Sequence, residues 1–403
     1  MVKEIFTLSS KSQTRRALVE KSTDVNITIT FDPSGVFIAS KGGIEEDDED
    51  EEEECEAAAQ QQQQQENEPA WNFRLWGSSK QLARHLESMF EENPGAVPDC
   101  LLELGAGTGL PSIVAHKLGV PHVISTDLPR AMPLLFHNLA DNVTLNSPRV
   151  KVETSDVPLC CPSGHLLQDE PVHSDEFMCS VCDEDIEKDA IVRRCRCCNF
   201  DLCHDHCLAA ISSGNLDDLP LWFQTELKFR QEFGLVDMNS FQHEFPGIPN
   251  ARSVSLCSCD WSSDADRTRL QSAIQNKPIS SIFIVGADLS YSPQSVDALM
   301  SLLPKLTADL RGGSGGGSSA GLIEVRVLLM HQVRSITTSK RLLRALAATG
   351  WRLERRLLEV SADSGAGVMD THGVEEEEEE EEDESVGLEV VKNGIYLIDI
   401  RLD

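Results

Sequence analysis

The sequence predicts an α/β protein whose mostly parallel sheet is covered by crossover helices and carries an antiparallel hairpin at its C-terminal edge. Strand-like and helix-like hydrophobic periods alternate over most of the chain. A strand, a glycine-rich turn, a helix and a second strand follow one another over residues 100–127, which is the order of a βαβ unit. Two final strand-like runs, joined by a long acidic segment, predict the hairpin.

Each predicted element has a local signal. Residues 27–40 alternate apolar and polar side chains around a Pro-Ser-Gly turn and predict an N-terminal hairpin. A helix with an apolar stripe follows Trp76, and a first-turn proline opens a second helix at residues 111–118. The sheet strands are predicted at residues 100–104, 122–127, 253–259, 282–287, 322–330, 351–360 and 394–402. Further helices are predicted at residues 295–303 and 339–348.

The composition is that of an acidic globular protein. With 403 residues, of which 40% are hydrophobic, the chain can bury at least one sizeable core. Two unbroken runs of ten acidic residues, 45–54 and 375–384, carry most of the net charge of −32. A nucleic acid partner would require a basic face, so we expect no direct nucleic acid binding.

Residues 1–16 lack the apolar core of a secretory signal, and no apolar run reaches the length of a membrane helix. We therefore expect a soluble monomer of the cytoplasm, with the nucleus as the alternative location and no membrane partner.

Low-complexity and cysteine-rich stretches divide the chain into five predicted segments. Residues 1–44 form an N-terminal hairpin extension and 45–69 an acidic, Gln-rich linker. Residues 70–150 are the first half of the α/β core, and 151–250 are an inserted cysteine-rich region. Residues 251–403 complete the core and carry a Gly/Ser run and the second acidic run as solvated loops.

Residues 101–109, LLELGAGTG, predict a nucleotide-type cofactor. Gly105 and Gly107 stand where a strand turns into a helix, so the backbone must turn tightly and approach a ligand closely. Asp127, at the end of the next strand, is placed to accept hydrogen bonds from ribose hydroxyls. This pattern fits both a dinucleotide and S-adenosyl-L-methionine. Glu103 favours the second, because it would attract a methionine ammonium and repel a pyrophosphate.

Six short motifs occur in a fixed order along the chain. They are Leu75-Trp76-Gly77, residues 102–110, Ser125-Thr126-Asp127, Asp260-Trp261, Gly286-Ala287-Asp288-Leu289-Ser290-Tyr291 and Val333-Arg334. Together they resemble family 16 of the seven-β-strand methyltransferases, the protein lysine methyltransferases of the methyltransferase-like 21 type. The Asp-x-x-Tyr motif is the most diagnostic. The resemblance covers roughly residues 70–150 and 250–403 and implies a Rossmann-like sheet of seven strands.

The resemblance implies transfer of methyl groups from S-adenosyl-L-methionine to a lysine of a protein substrate. It implies cofactor contacts from Trp76, Gly105, Ala106, Gly107, Asp127, Trp261 and Ala287, beside Glu103. Asp288 would orient the amine or help to take its proton, and Tyr291 would close the channel. The plain alternatives are a helix N-terminal acid and packing aromatics. Arginine, histidine or a small molecule is the alternative acceptor, and a non-catalytic zinc-finger binding protein is the alternative from another class.

Nine of the thirteen cysteines lie between Cys160 and Cys207, and their spacing predicts bound zinc. The ligand pairs are Cys161-x3-His165, Cys179-x2-Cys182, Cys195-x2-Cys198 and Cys203-x2-His206. Eight ligands suffice for two tetrahedral ions, and closed four-ligand sites are structural.

The run from Cys195 to His206 resembles cross-brace fingers of the ZZ type and the divergent phorbol-ester type. By that resemblance, Cys161 and His165 share one zinc ion with Cys195 and Cys198, and Cys179 and Cys182 share the other with Cys203 and His206. Neighbouring Cys197, His204 and Cys207 are alternative ligands. We expect the insertion to recognise a substrate or partner, with a self-stabilising spacer as the alternative.

Overall fold

The structure is a computed structural model. It describes residues 2–8, 25–31, 75–143, 159, 161, 166–173, 177–182, 184–196, 200–213, 216, 219–234, 236–245, 252–312, 323–360 and 390–402. These residues form a central mixed sheet with helices on both faces, a two-stranded N-terminal sheet and a small cysteine-rich module. The predicted α/β class is confirmed.

The strands and helices follow in chain order. The strands before the cysteine-rich module are β1 (Val2–Leu8), β2 (Val25–Phe31), β3 (Cys100–Leu104) and β4 (His122–Asp127). The module holds β5 (Gln168–Pro171), β6 (Phe177–Met178), β7 (Asp185–Ile186), β8 (Ile191–Cys195) and β9 (Phe200–Leu202). The strands after it are β10 (Gln242–Glu244), β11 (Ser253–Ser258), β12 (Ser281–Ala287), β13 (Glu324–Gln332), β14 (Arg352–Val360) and β15 (Gly394–Arg401). The α-helices are α1 (Gly77–Glu92), α2 (Leu110–Lys117), α3 (Met132–Val143), α4 (Ala209–Ser213), α5 (Leu221–Phe233), α6 (Asp264–Gln275), α7 (Pro293–Gly312) and α8 (Ile336–Ala348).

The central sheet has the strand order β10-β11-β4-β3-β12-β13-β15-β14. The five strands from β11 to β13 run parallel, whereas β10, at one edge, and the β14–β15 hairpin pair in antiparallel fashion. The chain moves from β3 to β4 on one side and returns to β12 on the other, so the strand order reverses beside β3. In open α/β sheets a ligand binds at such a reversal, outside the carboxyl ends of the strands.

All seven predicted sheet strands are present, and the C-terminal hairpin lies at the sheet edge as expected. Within this hairpin β15 inserts between β13 and β14, so β14 is the edge strand. The eighth strand, β10, has three residues and was not predicted. The central strands are buried along their whole length, because helices cover both faces of the sheet.

The helices begin where the sequence supplies capping groups. Ser263 caps α6 by accepting from the Asp266 amide, and Ser335 caps α8 by accepting from the Thr338 amide. Helix α7 continues through Pro304, although the sequence predicted its end at residue 303. Leucines remain buried on both sides of this proline, so packing outweighs the hydrogen bond that proline cannot donate.

The predicted N-terminal hairpin stays a prediction, and β2 has a partner that the sequence did not reveal. β2 pairs along its whole length with β1, and the predicted turn and second strand lie outside the described residues. One face of this two-stranded sheet packs into the core formed with α1, α2 and α3. The buried side chains on this face are Phe6, Leu8, Ile27 and Ile29. The Asn142 side chain accepts from the Thr28 amide at 3.2 Å and donates to its carbonyl oxygen at 2.9 Å, which attaches β2 to α3.

The cysteine-rich module has its own apolar cluster, which includes Leu134 of α3. After the module the chain returns to the central core. The aromatic rings of Phe229, Phe233 and Phe241 pack on one another and around Phe136 of α3, and β10 then joins the central sheet. Helix α5 also contributes Phe223 and Leu227 to the apolar cluster of the module, so this helix packs against both the module and the central core. In the described part of the chain, no helix has the length and apolarity needed to cross a membrane.

Candidate functional site

The residues predicted to contact the cofactor and the acceptor gather at one edge of the sheet. β3 and β4 pair in parallel through Glu103 and Ser125, and β12 pairs with β3 through Gly286 and Leu104. Because parallel strands end at the same edge, the turn at Gly105 and the segments after β4 and β12 leave the sheet side by side. This is the edge at which the strand order reverses.

The glycine loop has the backbone that its residues predict. Gly105, Gly107 and Gly109 have φ angles of 57°, 54° and 79°, in the left-handed region that favours glycine. A Cβ atom on Gly105 would lie 2.7 Å from Leu289 Cδ2 and 3.1 Å from Trp261 Cζ2. Trp261 and Leu289 therefore lie directly over the loop, at a distance that only glycine permits.

Asp127 joins the glycine loop to the end of β4. One carboxylate oxygen accepts from the Gly107 amide at 2.6 Å, and the other accepts from the Leu128 amide at 2.7 Å. Burial raises the pKa of Asp127, and the two backbone hydrogen bonds oppose that rise. The Asp127 carbonyl oxygen accepts from the Cys259 amide at 2.8 Å, which fixes the segment that leads to Trp261.

Glu103 is buried, and its partner in the structure is one that the sequence did not reveal. Its Oε2 accepts from the Ser112 amide at 2.9 Å and from the Ser112 hydroxyl at 2.5 Å, in the first turn of α2. Burial is the largest influence and raises the pKa of Glu103 to about 8. A cationic ligand group beside this carboxyl would restore its ionised form.

Asp288 follows β12 and is held in an unusual conformation. Its φ angle is 61°, although it is not glycine, and its amide donates to the Met330 carbonyl oxygen at 2.8 Å. Its side chain is only 4% exposed and forms an ion pair with Arg334. The Arg334 guanidinium lies 4.1 Å from the centre of a Trp76 ring. The structure thus brings Asp288 and Trp76, both predicted site residues, together through Arg334.

The other predicted residues take different places. Ala106 donates its amide to the Thr126 carbonyl oxygen at 2.9 Å, and Ala287 ends β12 immediately before Asp288. Tyr291 is 39% exposed, three residues beyond Asp288. Burial raises the pKa of Asp288, and the adjacent Arg334 lowers it. The segment after β12 therefore carries a buried carboxylate at Asp288 and an exposed phenol at Tyr291.

A second candidate site lies in the cysteine-rich module. The thiols of Cys179, Cys182, Cys203 and Cys207 lie within 4.8 Å of one another. The Sγ atoms of Cys179 and Cys207 are 3.6 Å apart, as are those of Cys182 and Cys203. Tetrahedral zinc with four thiolates at about 2.3 Å requires sulfur separations of about 3.8 Å. The cluster fits such an ion.

The fourth thiol of this cluster belongs to Cys207, an alternative ligand in the sequence analysis, whereas the predicted set contained His206. Cys207 stands where the sequence pattern placed His206, because a helical turn at His204–Leu208 returns Cys207 to the Cys203 thiol. The amide of Cys207 donates to Cys203 Sγ, and that of Cys203 to Cys179 Sγ, both at 3.4 Å. Such amide bonds stabilise thiolates around a metal. His206 lies instead in a second group with Cys182 and Glu184.

The other predicted zinc set is only partly visible. Cys161 and Cys195 are buried in the apolar cluster of the module, which agrees with an interior position. His165 and Cys198 lie outside the described residues, so this set stays a prediction.

Comparison with known proteins bears on the first half of the core. Residues 57–156 match the family model of the lysine methyltransferases, described as "Lysine methyltransferase". The match spans Trp76, the glycine loop and Asp127, and it confirms the predicted family resemblance for this segment. Trp261, Asp288 and Tyr291 lie beyond it, so their roles stay predictions.

Similar proteins agree with this match. The protein N-terminal and lysine N-methyltransferase EFM7 of Eremothecium gossypii is 45% identical over 65 residues, which are 16% of this chain and 23% of the relative. Its Schizosaccharomyces pombe counterpart is 45% identical over 74 residues, 18% of this chain and 27% of the relative. The protein-lysine methyltransferase METTL21E of Bos taurus is 39% identical over 80 residues, 19% of this chain and 27% of the relative. The matched segments span about a quarter of the length of these relatives.

Proposed function

We propose that this protein transfers methyl groups from S-adenosyl-L-methionine to an amine of a protein substrate, most directly a lysine side chain. The main support is the coincidence of the family match with the strand-loop-helix-strand unit in which Asp127 accepts from the Gly107 amide. The same sheet edge carries the buried Asp288, which suits an amine acceptor. The substrate therefore meets the cofactor at the reversal of strand order.

The residues present fit the cofactor in three respects. The buried Asp127 carboxylate stands at the end of the second strand, where ribose hydroxyls would donate to it. The left-handed backbone at Gly105, Gly107 and Gly109 makes the tight turn from β3 into α2 that a cofactor loop of this kind requires. Glu103 is a buried carboxyl whose high pKa a methionine ammonium would lower.

Methyl transfer requires the protein mainly to position the acceptor amine against the methyl group. When bound, the cofactor supplies a sulfonium methyl group that is open to in-line attack. In the proposed transfer the acceptor nitrogen would supply the electron pair of the new N–C bond, and sulfur would keep the electron pair of the broken S–C bond. Asp288 would orient the amine through a hydrogen bond, and the ammonium that forms would lose its proton to solvent or to this carboxylate. Tyr291 closes the acceptor channel.

A second acceptor follows from the names of the relatives. EFM7 is named as a methyltransferase of both protein N-termini and lysines, and both acceptors are primary amines. An amine is a compact nucleophile that Asp288 can orient through one hydrogen bond. Arginine, histidine and small-molecule acceptors are the alternatives that the experiment below separates.

For the cysteine-rich module we propose a structural zinc ion held by Cys179, Cys182, Cys203 and Cys207, in place of the set that contained His206. A closed four-thiolate site leaves no position for catalysis. The second zinc ion, with Cys161, His165, Cys195 and Cys198, completes the proposed pair. We further propose that the module contacts the substrate protein, because its apolar cluster includes Leu134, the third residue of α3, in the segment that follows Asp127.

The five-segment division and the cytoplasmic location remain part of this proposal. β10 pairs with β11 of the central sheet, so residues 242–244 of the proposed insertion pack with the core.

The function is tested by incubating the purified protein with radiolabelled S-adenosyl-L-methionine and a native cell lysate. We expect label on protein, dependent on Asp288, together with cofactor binding in calorimetry. Label that remains in small molecules would overturn the protein substrate. A chain that binds no cofactor and transfers no label would support the non-catalytic alternative.

A further inference from the structure

Arg334 connects three segments that are far apart in the sequence. It follows β13, while Trp76 precedes α1 and Asp288 follows β12. Its guanidinium lies 4.1 Å from a Trp76 ring centre, forms an ion pair with Asp288 and donates to Gln332 Oε1 at 3.1 Å. A planar guanidinium can stack on an aromatic ring and pair with a carboxylate at the same time, which a lysine cannot do.

The acceptor side of Asp288 is thus fixed from two directions. Its amide bonds to the Met330 carbonyl oxygen at the end of β13, and its left-handed backbone is strained for a residue with a side chain. Arg334 holds the carboxylate of the same residue. A residue with a strained backbone and a buried carboxylate, in which both the backbone amide and the carboxylate are bonded, is typical of a preorganised site.

We propose that Arg334 is a positioning residue of the acceptor site, which holds the Asp288 carboxylate as a fixed anion beside Trp76 so that the site takes an uncharged amine and excludes a guanidinium. The inference rests on the proposed methyl transfer and names the acceptor chemistry. An arginine acceptor would have to displace a guanidinium that the chain itself supplies. Arg334 already pairs with the Asp288 carboxylate and offsets its charge. The site therefore attracts a cationic lysine less strongly, and the cationic form does not outcompete the neutral amine for the site.

The charges around Asp288 agree with this role. His331 of β13 bonds to the Ser290 hydroxyl at 2.9 Å and to the Ser339 hydroxyl at 2.8 Å. Burial lowers the pKa of His331 to about 4, so this side chain is neutral near pH 7. Gln332 is uncharged, and Arg334 is the cation that the structure pairs with Asp288. Arg334 therefore opposes the effect of burial on the Asp288 carboxyl.

The test compares R334Q, D288N and the double variant with the wild-type chain. For R334Q we expect kcat/KM for the amine acceptor to fall about 10- to 100-fold near pH 7, with the acid limb of its pH profile moved to higher pH. Cofactor affinity should stay within about threefold of wild type, and R334K should recover part of the loss. In the D288N background, R334Q should cost no more than about twofold, because the two residues act as a unit.

R341Q is the matched control. Arg341 also pairs with an aspartate, Asp297, but the two side chains are 51% and 60% exposed. Removing this arginine should leave kcat/KM and its pH profile unchanged.

Three results would overturn the inference: an unmoved acid limb in R334Q, losses that multiply in the double variant, or cofactor affinity that falls as much as kcat/KM. A wild-type chain without methyl transfer would instead overturn the proposed function. In that event a ¹³C carboxyl titration, with D288N used to assign the Asp288 signal, still reports on the pair. An Asp288 ionisation midpoint that rises in R334Q supports the pairing, and an unchanged midpoint refutes it.

Discussion

Replacing Gly105 with alanine would place a methyl group at the point where the glycine loop is most crowded. The new Cβ atom would lie 2.7 Å from Leu289 Cδ2 and 3.1 Å from Trp261 Cζ2. Both contacts are side-chain atoms, and the Leu289 methyl group can rotate away more easily than the Trp261 ring. The substitution therefore pushes on two residues that lie over the proposed cofactor site.

The expected magnitude has two parts. A residue with a side chain costs about 1–2 kcal/mol in the left-handed conformation that Gly105 adopts. Crowding in a packed region adds about 1–3 kcal/mol. Displacement of the loop and of Trp261 should also weaken cofactor binding by at least about tenfold, which corresponds to about 1.4 kcal/mol.

Gly350 supplies a matched control for the part of the stability cost that comes from the left-handed backbone alone. Its φ angle is 73°, and a Cβ atom there would meet nothing within 4 Å. G350A should therefore lose about 1–2 kcal/mol of unfolding free energy and keep wild-type cofactor affinity. Denaturant unfolding measures the stability of both variants, and calorimetric titration with S-adenosyl-L-methionine measures their affinities.

The reasoning fails if G105A binds the cofactor as tightly as the wild-type chain. It fails equally if G350A loses as much affinity as G105A, because the effect would then come from general destabilisation.

Three further predictions concern the cofactor edge and the module. D127N should weaken cofactor binding about 10- to 100-fold in calorimetry, since it removes a charged hydrogen-bond acceptor; unchanged affinity would disprove the ribose assignment. The pKa of about 8 means that folded Glu103 stays protonated between pH about 4.5 and about 8 while the unfolded chain ionises. Without cofactor, wild-type stability should therefore fall by a few kcal/mol relative to E103Q as pH rises through this window, and parallel curves would contradict the burial argument. C207S should lose the metal of the four-cysteine cluster and H206A should keep it, as measured by zinc content; the reverse result would restore the histidine ligand.

The sheet was predictable because its strands are long, apolar runs bounded by clear turn signals. β3 and β4 have the predicted bounds, and the glycine loop makes a tight turn at the predicted place, with a left-handed backbone. β10 escaped prediction because three residues cannot establish a period, and it exists through its pairing with β11. β1 was also not predicted, because its pairing with β2 depends on residues that a long connection separates in the sequence.

The site was predictable residue by residue but not in its contacts. The resemblance of its motif to that of a known family identified Asp288, whereas its pairing with Arg334 depends on two loops that only the folded sheet brings together. In the module, a two-residue spacing favoured His206 because short turns are the usual way to bring two ligands to one ion. The turn at His204–Leu208 winds instead so that Cys207, four residues after Cys203, returns to the same side. No rule of spacing distinguishes these turns before the fold is known.

The central claim is methyl transfer to an amine of a protein, and the most direct measurement is the position of the transferred methyl group. A protein labelled by the wild-type chain is digested, and the methylated residue is identified by mass spectrometry with isotopically labelled cofactor. We predict the label on a lysine side-chain nitrogen or on the N-terminal amine, and its loss when D288N replaces the wild-type chain. Label on arginine or histidine, or label that persists with D288N, would contradict the account.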